Sequence, residues 1–276
     1  MKQKTTVNIR ETGIRTIRLE SSAIGSLEQY INADFERVVE LMAACTGRVV
    51  ITGIGKSAII AQKIVATFNS TGTPALFMHA ADAIHGDLGM ITQDDVVVVI
   101  SKSGESPEIK VLVPLVRNLG NVLVAIVGKA DSYLAQSAHF VLNTYVSQEA
   151  CPNNLAPTSS TTAQMVMGDA LAVCLIEMKG FTAEDFARFH PGGTLGKKLY
   201  LKVGDLRRML EKNMNAAGVT AADIMSTHPK TIDADELAVN ALDMMRTYDI
   251  TQLLVMKGDQ YHGIIHLHDL IREGII

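Results

Sequence analysis

A cluster of hydroxyl side chains follows a strongly apolar stretch near the middle of the sequence. Residues 96–101 read VVVVIS, and Ser103, Gly104 and Ser106 come next, before a helical pattern begins. The free amides at the start of a helix, together with nearby hydroxyl donors, bind anions, most often phosphate. The alternative is that Ser103 or Ser106 only caps the helix. Three hydroxyls and a glycine favour the anion site over the cap.

A second glycine-rich turn, GIGKS at 53–57, carries Lys56 and Ser57. It is similar to the end of a P-loop, but that motif requires a glycine where this chain has Val50. It also fits the loose GxGxxA dinucleotide pattern, but the acidic residue expected at the end of the next strand is missing, since that strand ends at His79. The turn therefore predicts neither ligand and instead brings a lysine and a serine to the same place as the serine-rich turn.

Histidine and carboxylate side chains lie in other loop-like segments rich in Gly, Pro and Ser. His85 is in HAADAIHGDLGM, Glu149 in QEACPNNLAPTSSTT and His190 in FHPGGTLGKK, while Glu108 follows the serine-rich turn. Such side chains can be tuned by their surroundings to move protons near neutral pH. These segments contain no HxxxH or similar pair, so they do not predict a required metal ion.

The elements that must position these residues alternate between apolar strands and helices. An amphipathic helix is predicted over 27–45, ahead of the first strand. Strands that are apolar throughout and alternate with helices predict a parallel sheet covered on both faces, which is a doubly wound α/β domain of roughly residues 20–200. Ligands of such sheets bind beyond the carboxyl ends of the strands, where both turns fall. The predicted strands are 49–53, 75–79, 96–101, 122–128 and 139–144.

The composition of the chain limits the classes of protein to consider. The 276 residues are 47% hydrophobic and 20% charged, with a net charge of −4, and this length suits one full domain and a smaller one. The sequence contains neither the basic stripe of a nucleic-acid-binding protein nor the run of eighteen apolar residues that a membrane span requires. Its N-terminus lacks the apolar run of a signal peptide. Three widely spaced cysteines predict neither a disulfide framework nor a zinc site. We therefore expect a soluble, reduced, cytoplasmic protein.

Several motifs together resemble the sugar isomerase (SIS) domain of arabinose 5-phosphate isomerases over about residues 20–200. They are GIGKSA, HGDLGM, ISKSGESPE, EACP followed by LAPTSSTT, GDALA and HPGGTLGKKL. The resemblance implies a flavodoxin-like sheet and the interconversion of ribulose 5-phosphate and arabinose 5-phosphate. The arabinose 5-phosphate made by enzymes of this family feeds the synthesis of 3-deoxy-manno-octulosonate (Kdo), a sugar of Gram-negative lipopolysaccharide and some capsules.

The resemblance also divides the chain into parts. It implies an SIS domain at 1–200, a linker with a remnant of a first cystathionine-β-synthase (CBS) repeat at 201–221, and a single CBS repeat at 222–276. That last segment reads as a short strand, a helix, a hairpin-like strand pair and a final helix. Because CBS repeats usually pair to form a nucleotide cleft, a nucleotide ligand has little support here.

By resemblance, the catalytic residues are Lys56, Glu108, Glu149 and His190. An isomerisation through a cis-enediol needs a base for the carbon acid and an acid–base pair for the oxygens, and it needs neither a metal nor an organic cofactor. Glu149 or Glu108 would be the carbon base, and this choice stays open. His190 would open the ring or shuttle protons, and Lys56 would stabilise charge on oxygen.

Seven further residues would bind the substrate and its phosphate: Ser57, Ser101, Ser103, Ser106, His85, Thr158 and Ser159. We expect Lys102 to be solvated. His85 and His190, if close together, could trap an inhibitory zinc ion. SIS domains commonly share sites between subunits, so the resemblance implies a homotetramer.

Two alternative functions remain. One is a sugar-phosphate-sensing regulator built on an SIS domain, although the first twenty residues are too few for the helix-turn-helix that such regulators usually carry. The other is an isomerase for a different phosphosugar, against which the HPGG and LAPTSSTT segments count by resemblance.

Overall fold

The computed structural model describes residues 7–193, 199 and 228–275. The chain divides into two compact units, Met1–Phe181 and Thr182–Ile276. The expected domain boundaries after residues 200 and 221 stay predictions. The expected remnant of a first CBS repeat, at 201–221, lies outside the described residues.

The first unit is built on a five-stranded parallel sheet, as predicted. The strand order is β2-β1-β3-β4-β5, which is the flavodoxin-like order, with a switch point between β1 and β3. The doubly wound α/β prediction is therefore confirmed. The strands are β1 Val49–Gly53, β2 Ala75–His79, β3 Val96–Ser101, β4 Val122–Val127 and β5 Phe140–Asn143.

The central strand β3 is buried along its whole length, which explains its run of β-branched residues. Its side chains alternate between two cores, with Val98 and Ile100 in one and Val97 and Val99 in the other. Two groups of helices supply these cores. Helices α2 Ala33–Ala44, α3 Lys56–Ser70 and α6 Ser159–Lys179 contribute to the first core, and α4 Pro107–Asn118 and α5 Tyr133–Ser137 contribute to the second.

The N-terminal part of this unit differs from the prediction. The continuous helix expected over 27–45 was wrong, because Ser26–Tyr30 form a short 3₁₀ helix and the chain is extended at Asn32. The Asn32 side chain accepts hydrogen bonds from the amides of Asp34 and Phe35, and it thereby starts α2 afresh. A further helix, α1 Ile9–Gly25, was not predicted and lies against α6.

Helix α6 is, within the described ranges, the one helix long and apolar enough to cross a membrane by length and composition alone. Half of that apolar stretch is buried inside the protein. Its Met167 and Leu171 belong to the core on one face of the sheet. Gly168 lies so close to α3 that an added Cβ would come within 2.4 Å of the Ile64 side chain. This packing is that of a core helix.

The second unit contains a three-stranded sheet of order β6-β7-β8. Strand β6 pairs with β7 in parallel, and β7 and β8 form an antiparallel hairpin. The predicted sequence of strand, helix, hairpin and helix is thus confirmed, and α7 was not predicted. The elements are α7 Ala183–Phe189, β6 Thr231–Asp233, α8 Ala238–Thr247, β7 Gln252–Lys257, β8 Gln260–His266 and α9 Leu267–Arg272.

Candidate active site

The two polar turns meet at one edge of the sheet, because β1 and β3 are neighbours and Gly53 pairs with Ile100. This edge is the switch point of the fold, where ligands of open α/β sheets bind. Gly53 allows the close approach: an added Cβ would lie 3.1 Å from the Ile100 carbonyl oxygen and 3.0 Å from the Ser57 carbonyl carbon. The sequence prediction that the two turns share an edge is therefore confirmed.

The serine-rich turn folds on its own hydroxyl groups. The Ser101 hydroxyl accepts a hydrogen bond from the Gly104 amide (3.0 Å), and the Ser103 hydroxyl accepts one from the Glu105 amide (3.2 Å). Gly104 has a φ of +65°, and an added Cβ would lie 2.2 Å from the Ser132 hydroxyl, so the turn requires glycine here.

Ser106 occupies the N-cap position of α4, but its side chain makes no cap hydrogen bond. Its hydroxyl is buried and has no hydrogen-bond partner among the described residues. The capping alternative is therefore not what Ser106 does in this structure. A buried hydroxyl and the first amides of an uncapped helix together suit a bound anion.

The glycine-rich turn starts α3 in a similar way. Gly55 has a φ of +58°, and no side chain caps the helix. Lys56 is exposed at the first helical position. The Ser57 hydroxyl donates to the Gln164 side-chain oxygen (3.2 Å) on α6. Gln164 is buried, and the sequence analysis missed it, because a lone glutamine in a long helix carries no local signal of its partner.

Glu149 has no exposed side-chain surface. Its carboxylate accepts hydrogen bonds from the Lys102 ammonium (2.5 Å), the Thr158 amide (2.8 Å) and the Ser160 amide (3.1 Å), and from the hydroxyls of Thr158 and Ser160. Burial by itself raises the pKa of this carboxyl, but the hydrogen bonds from Lys102, Ser160 and Thr158 outweigh it and lower the pKa to about 2. Glu149 is thus a carboxylate throughout the physiological pH range.

Lys102 corrects one expectation. It was expected to be solvated, but its ammonium pairs with Glu149, although about half of its side chain is exposed. The reason is that the Lys102 carbonyl accepts a hydrogen bond from the Gly128 amide (3.1 Å), which holds the backbone at the sheet edge beside the end of β4. An available signal was the presence of opposite charges shortly after two strands, β3 and β5, of one sheet.

The other predicted residues occupy distinct environments. Glu108 is half-buried in the first turn of α4, and its carboxylate has no hydrogen bond or ion pair within the described part of the chain. Ser159 is fully buried at the start of α6, and its hydroxyl has no partner among the residues described. His85 is exposed in a 3₁₀ turn, Ala83–His85. The substrate-binding roles assigned to these and the other predicted residues stay predictions.

His190 ends α7 and therefore belongs to the second unit. Its ring stacks on Phe186 with 3.9 Å between centroids, and Nδ1 lies 2.8 Å from the Phe186 carbonyl oxygen. Its catalytic role and the inhibitory zinc site with His85 stay predictions. Residues 7–193, 199 and 228–275 contain no group of three or more His, Cys, Asp or Glu side chains placed to hold a metal ion.

Comparison with known proteins assigns both units. The SIS domain family model matches residues 42–174, and the CBS domain model matches residues 221–275. Arabinose 5-phosphate isomerase KdsD of Escherichia coli K12 is 40% identical over an alignment of 318 positions, gaps included, which covers 98% of this chain and 97% of the relative. The enzyme of the same name from Pseudomonas aeruginosa is 42% identical over an alignment of 312 positions, covering 95% of this chain and 96% of that one.

Solved structures agree with this assignment. An Escherichia coli CFT073 protein in complex with arabinose 5-phosphate matches with a TM-score of 0.63 and 39% identity, covering 68% of this chain and all of the other. A sugar-phosphate isomerase from Listeria monocytogenes, described as putative in its own name, matches with a TM-score of 0.64 and 34% identity, covering 66% and 96%.

The alignment with the Escherichia coli K12 relative also measures a difference in length. It spans 318 positions, and this chain has 276 residues, so at least 42 positions (318 − 276) have no counterpart here. The loss of a first CBS repeat, expected from the sequence, stays a prediction.

Proposed function

The chain belongs to the arabinose 5-phosphate isomerase family of SIS-domain proteins, and we propose from this that it interconverts D-ribulose 5-phosphate and D-arabinose 5-phosphate. The observation that carries the proposal is the sheet edge at the ends of β1 and β3. Two helices without side-chain caps, α3 and α4, begin there, and the buried Ser106 hydroxyl has no partner among the described residues. This edge suits the phosphate of a sugar phosphate.

The reaction moves two protons in each direction. From ribulose 5-phosphate, a base removes a proton from C1 while the carbonyl oxygen on C2 gains one, which gives the cis-enediol. The proton then returns to C2, and the oxygen on C1 loses its proton to give the aldehyde. No electron leaves the sugar, so a redox cofactor has no part in the balance.

The catalytic assignment keeps the predicted residues. Lys56, exposed at the first position of α3, stabilises negative charge developing on the sugar oxygens. A carboxylate takes the carbon proton, and His190 opens the ring or moves protons between the oxygens. Ser57, Ser101, Ser103 and Ser106 bind the phosphate, and His85, Thr158 and Ser159 contact the rest of the substrate.

An assay of the purified full chain tests the proposal. With ribulose 5-phosphate as substrate, we expect arabinose 5-phosphate as the product, identified by NMR, at a rate that a chelator does not lower. The His190→Ala variant, purified in the same way, controls for contaminating host isomerase and should be slower by about 10²-fold or more. Formation of another phosphosugar, or of none, would refute the assignment, and loss of activity with chelator would establish a required metal.

We further propose that the product supplies Kdo synthesis, that the enzyme is cytoplasmic, and that it works as a homotetramer without a cofactor. The phosphosugar is its ligand, and neither nucleic acid nor a membrane is a partner. The single CBS repeat is assigned no nucleotide. Light scattering of the purified protein, with and without substrate, tests the tetramer.

A further inference from the structure

The carboxylate of Glu149 has no free position at which to accept another proton. An ionised carboxylate offers about four lone-pair sites. Glu149 already receives five donors: the Lys102 ammonium and Ser160 hydroxyl on Oε1, and the Thr158 amide, Thr158 hydroxyl and Ser160 amide on Oε2. A carbon base must have a lone pair within reach of the substrate. Glu149 would have to break one of these bonds to act as that base.

Further hydrogen bonds hold the chain segment around this carboxylate. The Glu149 amide donates to the Asn154 side-chain oxygen (2.7 Å), and the Ala150 amide donates to the Thr158 hydroxyl (2.9 Å). Residues 149–160 thus fold back around Glu149 and deliver the chain into α6.

Lys102 links this segment to the serine-rich turn. Its backbone is held by Gly128 at the end of β4, and its ammonium lies 2.5 Å from Glu149 Oε1. It is the one side chain outside residues 149–160 that is seen, among the described residues, to bond the Glu149 carboxylate. This ion pair therefore joins the 149–160 segment to the turn at 101–106.

We propose that Lys102 is a positioning residue for the isomerisation: it holds Glu149 as a fixed anion, and Glu149 organises the site without taking the carbon proton. The proposal rests on the isomerase function proposed above and narrows it. Of the two carboxylates considered, Glu108 is then the carbon base, and its carboxylate has no bonding partner in the described ranges.

Kinetics of Lys102 variants test the positioning role. Lys102→Met should lower kcat by at least 10-fold while KM changes by less than about 3-fold, because a misplaced catalytic segment slows the chemical step more than it weakens binding. Lys102→Arg keeps the charge and should recover kcat to within about 3-fold of the wild type. Lys63→Met is the matched control: it removes a similarly exposed ion pair, to Asp169, between α3 and α6, and it should leave kcat unchanged.

A double-mutant cycle tests whether Lys102 acts through Glu149. In a Glu149→Gln background, Lys102→Met should cause less than about 3-fold further loss. A kcat for Lys102→Met within 2-fold of the wild type, a raised KM alone, or fully multiplicative losses would each overturn the proposal. A raised KM alone would mean that Lys102 binds the substrate directly.

Exchange of the substrate carbon proton with D₂O tests the assignment of the base. Glu149→Gln should retain exchange at a rate at least 10-fold above that of Glu108→Gln, and the reverse order would refute Glu108 as the carbon base.

A readout that does not depend on activity separates failure of this proposal from failure of the isomerase function. In protein with ¹³C-labelled glutamate carboxyls, the Glu149 signal should stay that of a carboxylate from pH 8 to 4 and should begin to titrate in that range in Lys102→Met. A Glu149 titration unchanged in Lys102→Met would refute the claim that Lys102 holds Glu149 as an anion, even if the wild type turned over no pentose phosphate.

Discussion

The ionised Glu149 carboxylate should make a specific and measurable contribution to acid stability. Its pKa is about 2 in the folded protein, against the ordinary value of 4.5 expected in the unfolded chain. This difference corresponds to about 3 kcal/mol of folding stability at pH 7. Because the folded pKa is the lower one, this contribution is present above about pH 4.5 and is lost as the pH falls towards 2. By the same relation, about 2 kcal/mol of it disappears between pH 6 and pH 3.

Glu149→Gln removes the titrating group while keeping its shape. The variant should be less stable than the wild type at pH 7. Between pH 6 and pH 3, the decrease in its free energy of unfolding should be about 2 kcal/mol smaller than the decrease in the wild type. Urea unfolding followed by circular dichroism, at one fixed protein concentration across this pH range, measures both values. The concentration must be fixed because assembly would also stabilise the folded state.

Glu105→Gln provides the control for this experiment. Glu105 pairs with Lys110 (2.8 Å) and accepts a hydrogen bond from the Tyr133 amide, and these contacts lower the pKa of its carboxyl. The Glu105 side chain is substantially exposed, and solvent therefore screens its interactions, which contribute little to the folding stability. This variant should follow the wild-type pH dependence. Parallel curves for the wild type and Glu149→Gln would refute the account of Glu149 as a buried, fully bonded anion.

Three further substitutions test the turn and the helix packing. Gly104→Ala should lower the thermal midpoint and raise KM, because its φ is +65° and the new Cβ would lie 2.2 Å from the Ser132 hydroxyl; an unchanged KM in steady-state kinetics would contradict this. Ser106→Ala should raise KM by about 10-fold or more with kcat and stability unchanged, since the hydroxyl makes no cap bond and is free to bind phosphate; a loss of stability in urea unfolding without a change in KM would indicate a structural role. Gly168→Val should cost about 1–3 kcal/mol or more by overpacking against Ile64, seen as a lower thermal midpoint, and a neutral result would show that α3 and α6 can separate at little cost.

The sequence was sufficient to predict the sheet and the meeting of the two polar turns at one edge of it. The runs at 49–53 and 96–101 are apolar throughout because both strands are buried, and buried parallel strands carry this pattern directly. Parallel strands also bring their carboxyl ends to one edge, so the meeting of the two polar turns followed from topology alone. The break at Asn32 was missed because a hydrophobic period continued across a residue whose side chain caps a new helix.

The contacts inside the site were less predictable, for a physical reason. Lys102 and Glu149 are 47 residues apart, and Ser57 and Gln164 are 107 apart. No local periodicity encodes pairs at such separations, which depend on how β3, β5, α3 and α6 pack together. Hydrogen bonding then decides the protonation state of Glu149. The types of residue near the edge could be predicted, but which of them are already bonded to each other could not.

The most direct test of the central claim is a crystal structure of the Lys56→Ala variant soaked with arabinose 5-phosphate. The account predicts the phosphate at the carboxyl edge of β1 and β3, within hydrogen-bond distance of the Ser103 and Ser106 hydroxyls and the first amides of α4. It also predicts Glu149 still bonded to Lys102 and Glu108 facing the sugar. A sugar phosphate bound elsewhere on the protein, with this edge empty, would contradict it.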